Sequence, residues 1–341
     1  MACKPISNMT LKPIISIVFR YRLFVVLVVV IGTACAKASD GSGFRVALLT
    51  PGPISDQAWN AGAYQGMMRI RDSLGAQTSH IQVKTPADFE ENFRQYAASG
   101  YTLVIGHGFE FQDAAARVAP SFPKTMFVTT GGSTTTPNLA ALSFAFEEPS
   151  YLAGMAAAAV SKSGVVGCIG GTELPPVKAS FAAFVAGVHA VTPTATILTA
   201  YLGNWDDVSA GKEQALALIQ RGADVIFQNA DAAGLGVFQA AKEHPGISVI
   251  GSNSNQNAVA PGLVLGSVVI DLPHAFLLVA KEVAGGSFRG RVIPLGMRDD
   301  VVRWEPADVL STRLTPAHAA RMDSTRLAMQ AGRFALSTVS P

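Results

Sequence analysis

Val165-Val166-Gly167-Cys168-Ile169-Gly170-Gly171 is a short apolar run closed by paired glycines, and it restarts a pattern that begins at Phe44-Arg45-Val46-Ala47-Leu48-Leu49-Thr50. A continuous apolar run of this length predicts a strand buried on both faces. After Phe44, helical spacing over residues 61–74, 87–99 and 112–119 alternates with strand-like runs at 81–83, 103–106, 126–129 and 139–144. After Val165 the same rhythm returns, with strands at 196–202, 225–228 and 249–251 and helices at 177–191, 208–221 and 235–243. Strands separated by helices of this length predict parallel sheets with helices on both faces. Two such sets in one chain predict an α/β protein of two similar Rossmann-like lobes. Ligands of open α/β sheets bind outside the carboxyl ends of the strands, so two facing lobes would gather those ends around one cleft. The last third is less regular: a strand at 264–270, a helix at 273–284, strands near 292–295 and 301–304, and a helix from Pro316.

The chain has 341 residues, of which 49% are hydrophobic and 15% charged, enough for one large core or two medium ones. A net charge of +2 without a basic stripe argues against a nucleic-acid partner. Near the start, Lys12, Arg20 and Arg22 precede an apolar run from Leu23 to Ile31, and Gly32-Thr33-Ala34 lead to Cys35. Positive residues, a short apolar stretch and small residues predict a secretory signal peptide over 1–35. A signal anchor that stays attached is the alternative, and Met9 is an alternative start. Residues 36–43 are small and polar and read as a tether. Cys3 falls in the segment expected to be removed. Cys168 stands alone in an apolar strand and reads as a small buried hydrophobe, so no disulfide is expected.

Several segments, taken in order, are similar to the basic-membrane-protein family of ABC-transporter lipoproteins, which includes purine nucleoside receptors. They are Ser55-Asp56-Gln57-Ala58-Trp59-Asn60, Gly106-His107-Gly108-Phe109-Glu110-Phe111, Val166–Gly171, Gly203-Asn204-Trp205-Asp206-Asp207 with Gly211-Lys212, and Gly234-Leu235-Gly236-Val237-Phe238. Thr33-Ala34-Cys35 resembles the site at which such lipoproteins are lipidated, with Gly32 where Leu is usual. The resemblance implies a type I periplasmic-binding-protein fold whose lobes are joined by three hinge crossings, near Glu147, Asn253 and Phe288. It implies a first lobe of 44–147 plus 254–288 and a second of 148–253 plus 289–341. It also implies a monomer, exported and lipid-anchored on the outer side of the cell membrane, that captures a small purine-like molecule for ABC permease and ATPase subunits. No cofactor is implied.

Trp59 follows the first strand at the start of a helix, and Trp205 lies between a strand and a helix, which reads as the matching place in the second half. In the nucleoside receptors, aromatic residues at these motif positions sandwich the base. Each could instead pack its own lobe. The family's polar pattern departs here. Thr50 and Thr130 stand where the family has Asp, Asn253 falls within Gly251-Ser252-Asn253-Ser254-Asn255-Gln256 in place of Gly-x-Asp-x-Asp-Gln, and Ile270 replaces a Lys. Losing these charges suggests a neutral site and a ligand without ribose. Asp56, Asn60, His107, Asn229 and Asp231 lie in loops after strands and are further candidates. Asp56 reads equally as a helix cap, Asp231 as a cap near Gly234, and His107 as a structural histidine.

Enzyme signatures are lacking in the sequence. Gly234-x-Gly236 lacks the rest of a phosphate-binding fingerprint, Glu147-Glu148 reads as capping or hinge contacts, and no metal-spaced His/Cys set or nucleophile elbow occurs. Lys212 reads as a solvated helix residue or a loop anchor. A sensory receptor delivering its ligand to another membrane partner, or an importer component for a different small molecule such as riboflavin, remains the alternative.

Overall fold

The computed structural model describes residues 43–334 together with Met1 and Leu336. Cys35, the expected leader around it and the tether through residue 42 lie outside the described residues. Within them, strands build two six-stranded sheets. The first holds β1 (Arg45–Thr50), β2 (Gln77–Gln82), β3 (Leu103–Gly106), β4 (Met126–Thr130), β5 (Leu139–Phe144) and β11 (Val292–Leu295), in the order β11-β5-β4-β3-β1-β2. All its pairings are parallel. The second holds β6 (Val165–Gly170), β7 (Thr196–Tyr201), β8 (Val225–Asn229), β9 (Ser248–Asn253), β10 (Val264–Ile270) and β12 (Val302–Pro306), in the order β12-β10-β9-β8-β6-β7. Here β12 runs antiparallel to β10 and the rest are parallel.

The burial of each strand follows from its place. Every residue of β8 and β10 is buried, as apolar runs in the middle of a covered parallel sheet must be. The edge strand β2 reads Gln-Thr-Ser-His-Ile-Gln and is partly exposed. Helices α1 (Trp59–Leu74), α2 (Pro86–Ala98) and α3 (Gln112–Val118) flank the first sheet. Helices α4 (Glu147–Val160), α5 (Pro175–Val191), α6 (Val208–Gln220) and α7 (Leu235–Glu243) belong with the second. Near the C-terminus, α8 (Leu272–Ala284) packs on α1 through Leu272 and Phe276 against Gly62 and Gly66, and α9 (Asp308–Ser311) and α10 (Pro316–Gln330) follow. Thr85, Asp207, Asp271 and Thr315 accept backbone N–H bonds at the starts of α2, α6, α8 and α10. Cys168 is buried and unpaired, and burial raises its thiol pKa, as suits a packing residue.

Three crossings join the lobes, but two differ from the expected places. The first runs from β5 into α4. The second leaves β10 at Ile270 and enters α8, and the third runs from β11 to β12. Residues 264–270 therefore belong to the second sheet and residues 292–295 to the first, the reverse of the expectation that turned at Asn253 and Phe288. The fully buried β10 needs a neighbour on each edge, and β9 and β12 supply them. In β11, Pro294 lacks a backbone donor and suits the edge position that this strand takes beside β5. The third crossing is held by Glu148, whose Oε2 accepts the Met297 N–H at 2.7 Å.

Candidate functional site

The carboxyl ends of both sheets open on a cavity of about 350 Å³, near the small end of the ~300–1,000 Å³ usual for ligand pockets. The first lobe lines it with Trp59, Asn60, Phe109, Glu110 and Phe144, and the second with Trp205, Asn229, Asp231 and Asn253. Glu147 at the first crossing and Ile270 at the second complete the wall. The lobes touch around it: Ser254 Oγ donates to the Ala58 carbonyl at 3.0 Å, and Lys84 lies 3.8 Å from Asp206 in an exposed ion pair.

Trp59 is set by the loop between β1 and α1. Asp56 is buried and its carboxylate accepts from the backbone N–H groups of Ala58, Asn60 and Ala61 and from Asn60 Nδ2. Those are the orphan donors of a helix start, where negative charge is stabilised. Asp56 therefore shapes the loop from behind and is absent from the cavity wall. The Trp59 ring stacks on His107, with centroids 3.9 Å apart and planes 28° apart, and meets Phe144 edge-on. His107 Nε2 lies 3.1 Å from the Trp59 carbonyl, which can only accept, so Nε2 carries the proton. Nδ1 then accepts from the Thr130 hydroxyl, also at 3.1 Å. Burial pushes the His107 pKa down to about 3 against the opposing pull of the Trp59 carbonyl, so the ring is neutral. Thr50 turns away likewise, donating to the Gly52 carbonyl and meeting His80 Nε2. Asp56, His107 and Thr130 thus form the support behind Trp59, Thr50 is tied to Gly52 and His80 instead, and Trp59 and Asn60 line the cavity.

On the second lobe Trp205 sits between β7 and α6, and its ring rests on Gly171, where any Cβ would run into it. Asn253 Nδ2 donates to Asp231 Oδ1 at 3.0 Å and to Asn229 Oδ1 at 3.3 Å, which gathers the three expected residues into one cluster. Asp231 and Asn253 hold left-handed backbone at φ 50° and 65°, a conformation that Asp and Asn tolerate better than most residues. Asp231 is therefore part of the cavity wall and no helix cap: Gly234 precedes α7 without a side-chain bond. The Gly234-x-Gly236 pair has a packing cause, since a Cβ on Gly236 would strike the Val208 carbonyl where α6 and α7 meet. Lys212 reaches Glu243 at 2.7 Å on the same helix pair.

Besides the neutral groups expected, the cavity takes in carboxyl groups, which burial shifts toward their neutral form. Glu110, Glu147 and Asp231 line the cavity, and no Lys, Arg or His does. Burial is the main cause raising the pKa of each; for Asp231 the charges of Asp56 and Glu110 add to it, and for Glu147 that of Glu148. Glu110 lies in the turn Phe109–Phe111 directly after β3, within a quoted motif, so its place after a strand was the available signal. Phe109, Phe144 and Phe146 were likewise missed. Among the described residues no His/Cys/Asp/Glu group could hold a metal, and no helix is long and apolar enough to cross a membrane.

Two α/β lobes joined by three strands of chain, with a cavity at their strand ends, form a type I periplasmic-binding-protein fold. The chain belongs to the family described as PnrA-like ABC transporter substrate-binding proteins, whose model matches residues 44–325. It is 29% identical over 265 residues to a purine-binding protein of Brucella abortus, covering 77% of this chain and 75% of the relative. It is 28% identical to an ABC transporter nucleoside-binding protein of Lactococcus lactis, covering 70% and 74%. A solute-binding protein of an ABC transporter system from Aeropyrum pernix superposes with a TM-score of 0.81 at 20% identity, over 87% of this chain and 94% of that one, a likeness of fold. Members of this family bind small molecules and work with a permease and an ATPase, on the outer side of the membrane.

Proposed function

We propose that this protein captures a purine base or nucleoside between Trp59 and Trp205 and presents it to an importer, held to the membrane by lipid on Cys35. The observation that carries the reading is that these two indole side chains, from opposite lobes, line one cavity. Relatives named for binding purines and nucleosides support the ligand class. Stacking contributes roughly 1–3 kcal/mol per face, so about 2–6 kcal/mol from two faces. Micromolar binding requires about 8 kcal/mol, and edge contacts to Asn60, Asn229 and the carboxyl groups supply the remainder. The loss of the family's charges at Thr50, Thr130, Asn253 and Ile270 does not by itself exclude ribose, because Glu110 and Asp231 bring carboxyl groups to the same cavity.

Calorimetric titration of the purified protein with adenine, hypoxanthine, adenosine and inosine tests this. At least one of them binds with one ligand per chain and is recovered chemically unchanged. Failure of all four to bind refutes the ligand class, and consumption of any of them refutes a binding protein that does no chemistry.

A further inference from the structure

Asn60, in the cavity wall, carries a buried polar atom without a hydrogen-bond partner among the described residues. Asn60 is 1% exposed and lines the cavity. Its Nδ2 donates to Asp56 Oδ2 at 2.8 Å, and a carboxylate can only accept, so the amide is held in one orientation. The atom left over is Oδ1, an acceptor, buried and without a hydrogen bond. A buried acceptor without a donor is costly, and the residue that carries this one lines the cavity.

The ionisable side chains around it have one sign. Asp231 is 5% exposed and receives a hydrogen bond from Asn253 Nδ2. Burial is the largest influence on Asp231 and favours its neutral form; the charges of Asp56 and Glu110, both on the other lobe, add to that, and the Asn253 amide and the Trp59 backbone oppose it. Glu147 adds a third carboxyl at the hinge, and the lining has no cationic side chain to answer them. Like charges drawn together across a closing cleft resist closure unless a proton or a cation lies between them. The π faces of Trp59 and Trp205 attract cations as well as flat rings.

We infer that the cleft selects a flat heterocycle that carries a positive charge and an N–H donor, the donor meeting Asn60 Oδ1 and the charge lying between Asp231 and Glu110. Phosphorylated ligands are excluded by the same carboxyl groups. This rests on the reading of the cavity as the ligand site, and it narrows the ligand by charge.

The test uses two pairs of similar shape and different charge, titrated by calorimetry at neutral pH: adenosine with 1-methyladenosine, and nicotinamide with 1-methylnicotinamide. In at least one pair the cation binds about tenfold or more tighter than its neutral partner. Asp231→Asn keeps an acceptor for Asn253 and suits left-handed backbone, and it brings that ratio close to unity. Glu110→Gln, a second variant on the other lobe, lowers the same ratio. Neutral members binding as well as the cations, no binding by either cation, or equal weakening of both members in Asp231→Asn overturns the inference. Binding of adenosine without a gain for 1-methyladenosine overturns the charge selection and leaves the purine reading standing. Binding of 1-methylnicotinamide with neither adenosine compound supports the charge selection and refutes the purine reading.

Discussion

Trp205→Ala and Trp59→Ala separate a stacking role from a packing role, because the two indoles are supported differently. Trp205 is half-buried and its inner face rests on Gly171. Truncation removes part of one buried aromatic surface, worth about 1 kcal/mol of stability when half of a large side chain is covered. Trp59 is also half-buried, but it covers the neutral His107 ring at 3.9 Å and meets Phe144. Its loss removes an aromatic pair worth about 0.5–1.5 kcal/mol beyond area and uncovers His107, for a total near 2–3 kcal/mol. A fully buried Trp truncated to Ala costs about 3–5 kcal/mol. Each variant also loses one stacking face, about 1–3 kcal/mol of binding. That raises Kd roughly five- to 150-fold. Denaturant melts of the free proteins and calorimetry with whichever purine binds the wild type measure both quantities. The expected result is a similar loss of affinity in the two variants and a larger loss of stability in Trp59→Ala. A Trp205→Ala protein destabilised by more than about 3 kcal/mol with unchanged Kd would make Trp205 a core residue and end the sandwich.

Cys35→Ser releases the protein from the membrane fraction or leaves it unprocessed; a variant that is processed and fractionates like wild type rules out the lipid anchor. His107→Gln flattens the acid side of the stability profile. With a folded pKa of about 3 against an ordinary 6.5, the unfolded state binds the extra proton between these values. His107 therefore lowers wild-type stability as pH falls through that window, by about 1.4 kcal/mol per pH unit. Identical slopes for wild type and variant between pH 6 and about 4 would mean that His107 is not held neutral. Gly236→Ala forces a methyl group onto the Val208 carbonyl and costs about 1–3 kcal/mol or more in thermal melts, while the folded fraction keeps its ligand affinity. Lost affinity with unchanged stability would refute the packing role of this glycine.

The two lobes were legible because buried parallel strands carry unmistakable apolar runs: Phe44–Thr50 and Val165–Gly170 recur with helices between. That Trp59 and Trp205 each follow a strand could be read from the same rhythm, but their places do not match: Trp59 follows β1, whereas Trp205 follows β7, the counterpart of the edge strand β2. The order of the last third could not, because a fully apolar run such as Val264–Ile270 suits the middle of either sheet. Only the pairing with Ser248–Asn253 and Val302–Pro306 decides it. The acidity of the cavity was hidden for a different reason. Glu110, Glu147 and Asp231 are far apart in sequence and each sits in an unremarkable loop or helix start. Their shared burial exists only once the lobes face each other. Conversely, Thr50, Thr130 and His107 were rightly placed at strand ends, but hydrogen bonds turn Thr130 and His107 onto Trp59's support and Thr50 toward Gly52 and His80.

The central claim is that a flat nitrogen heterocycle lies between the lobes, and mass spectrometry of the protein as purified addresses it without any choice of ligand. Native spectra of the wild type should show one added small molecule per chain. Denaturation should release it intact with the mass and fragmentation of a purine base or nucleoside, and Trp205→Ala purified in parallel should carry much less of it. A released molecule with no aromatic ring, or full occupancy retained in Trp205→Ala, would contradict the account.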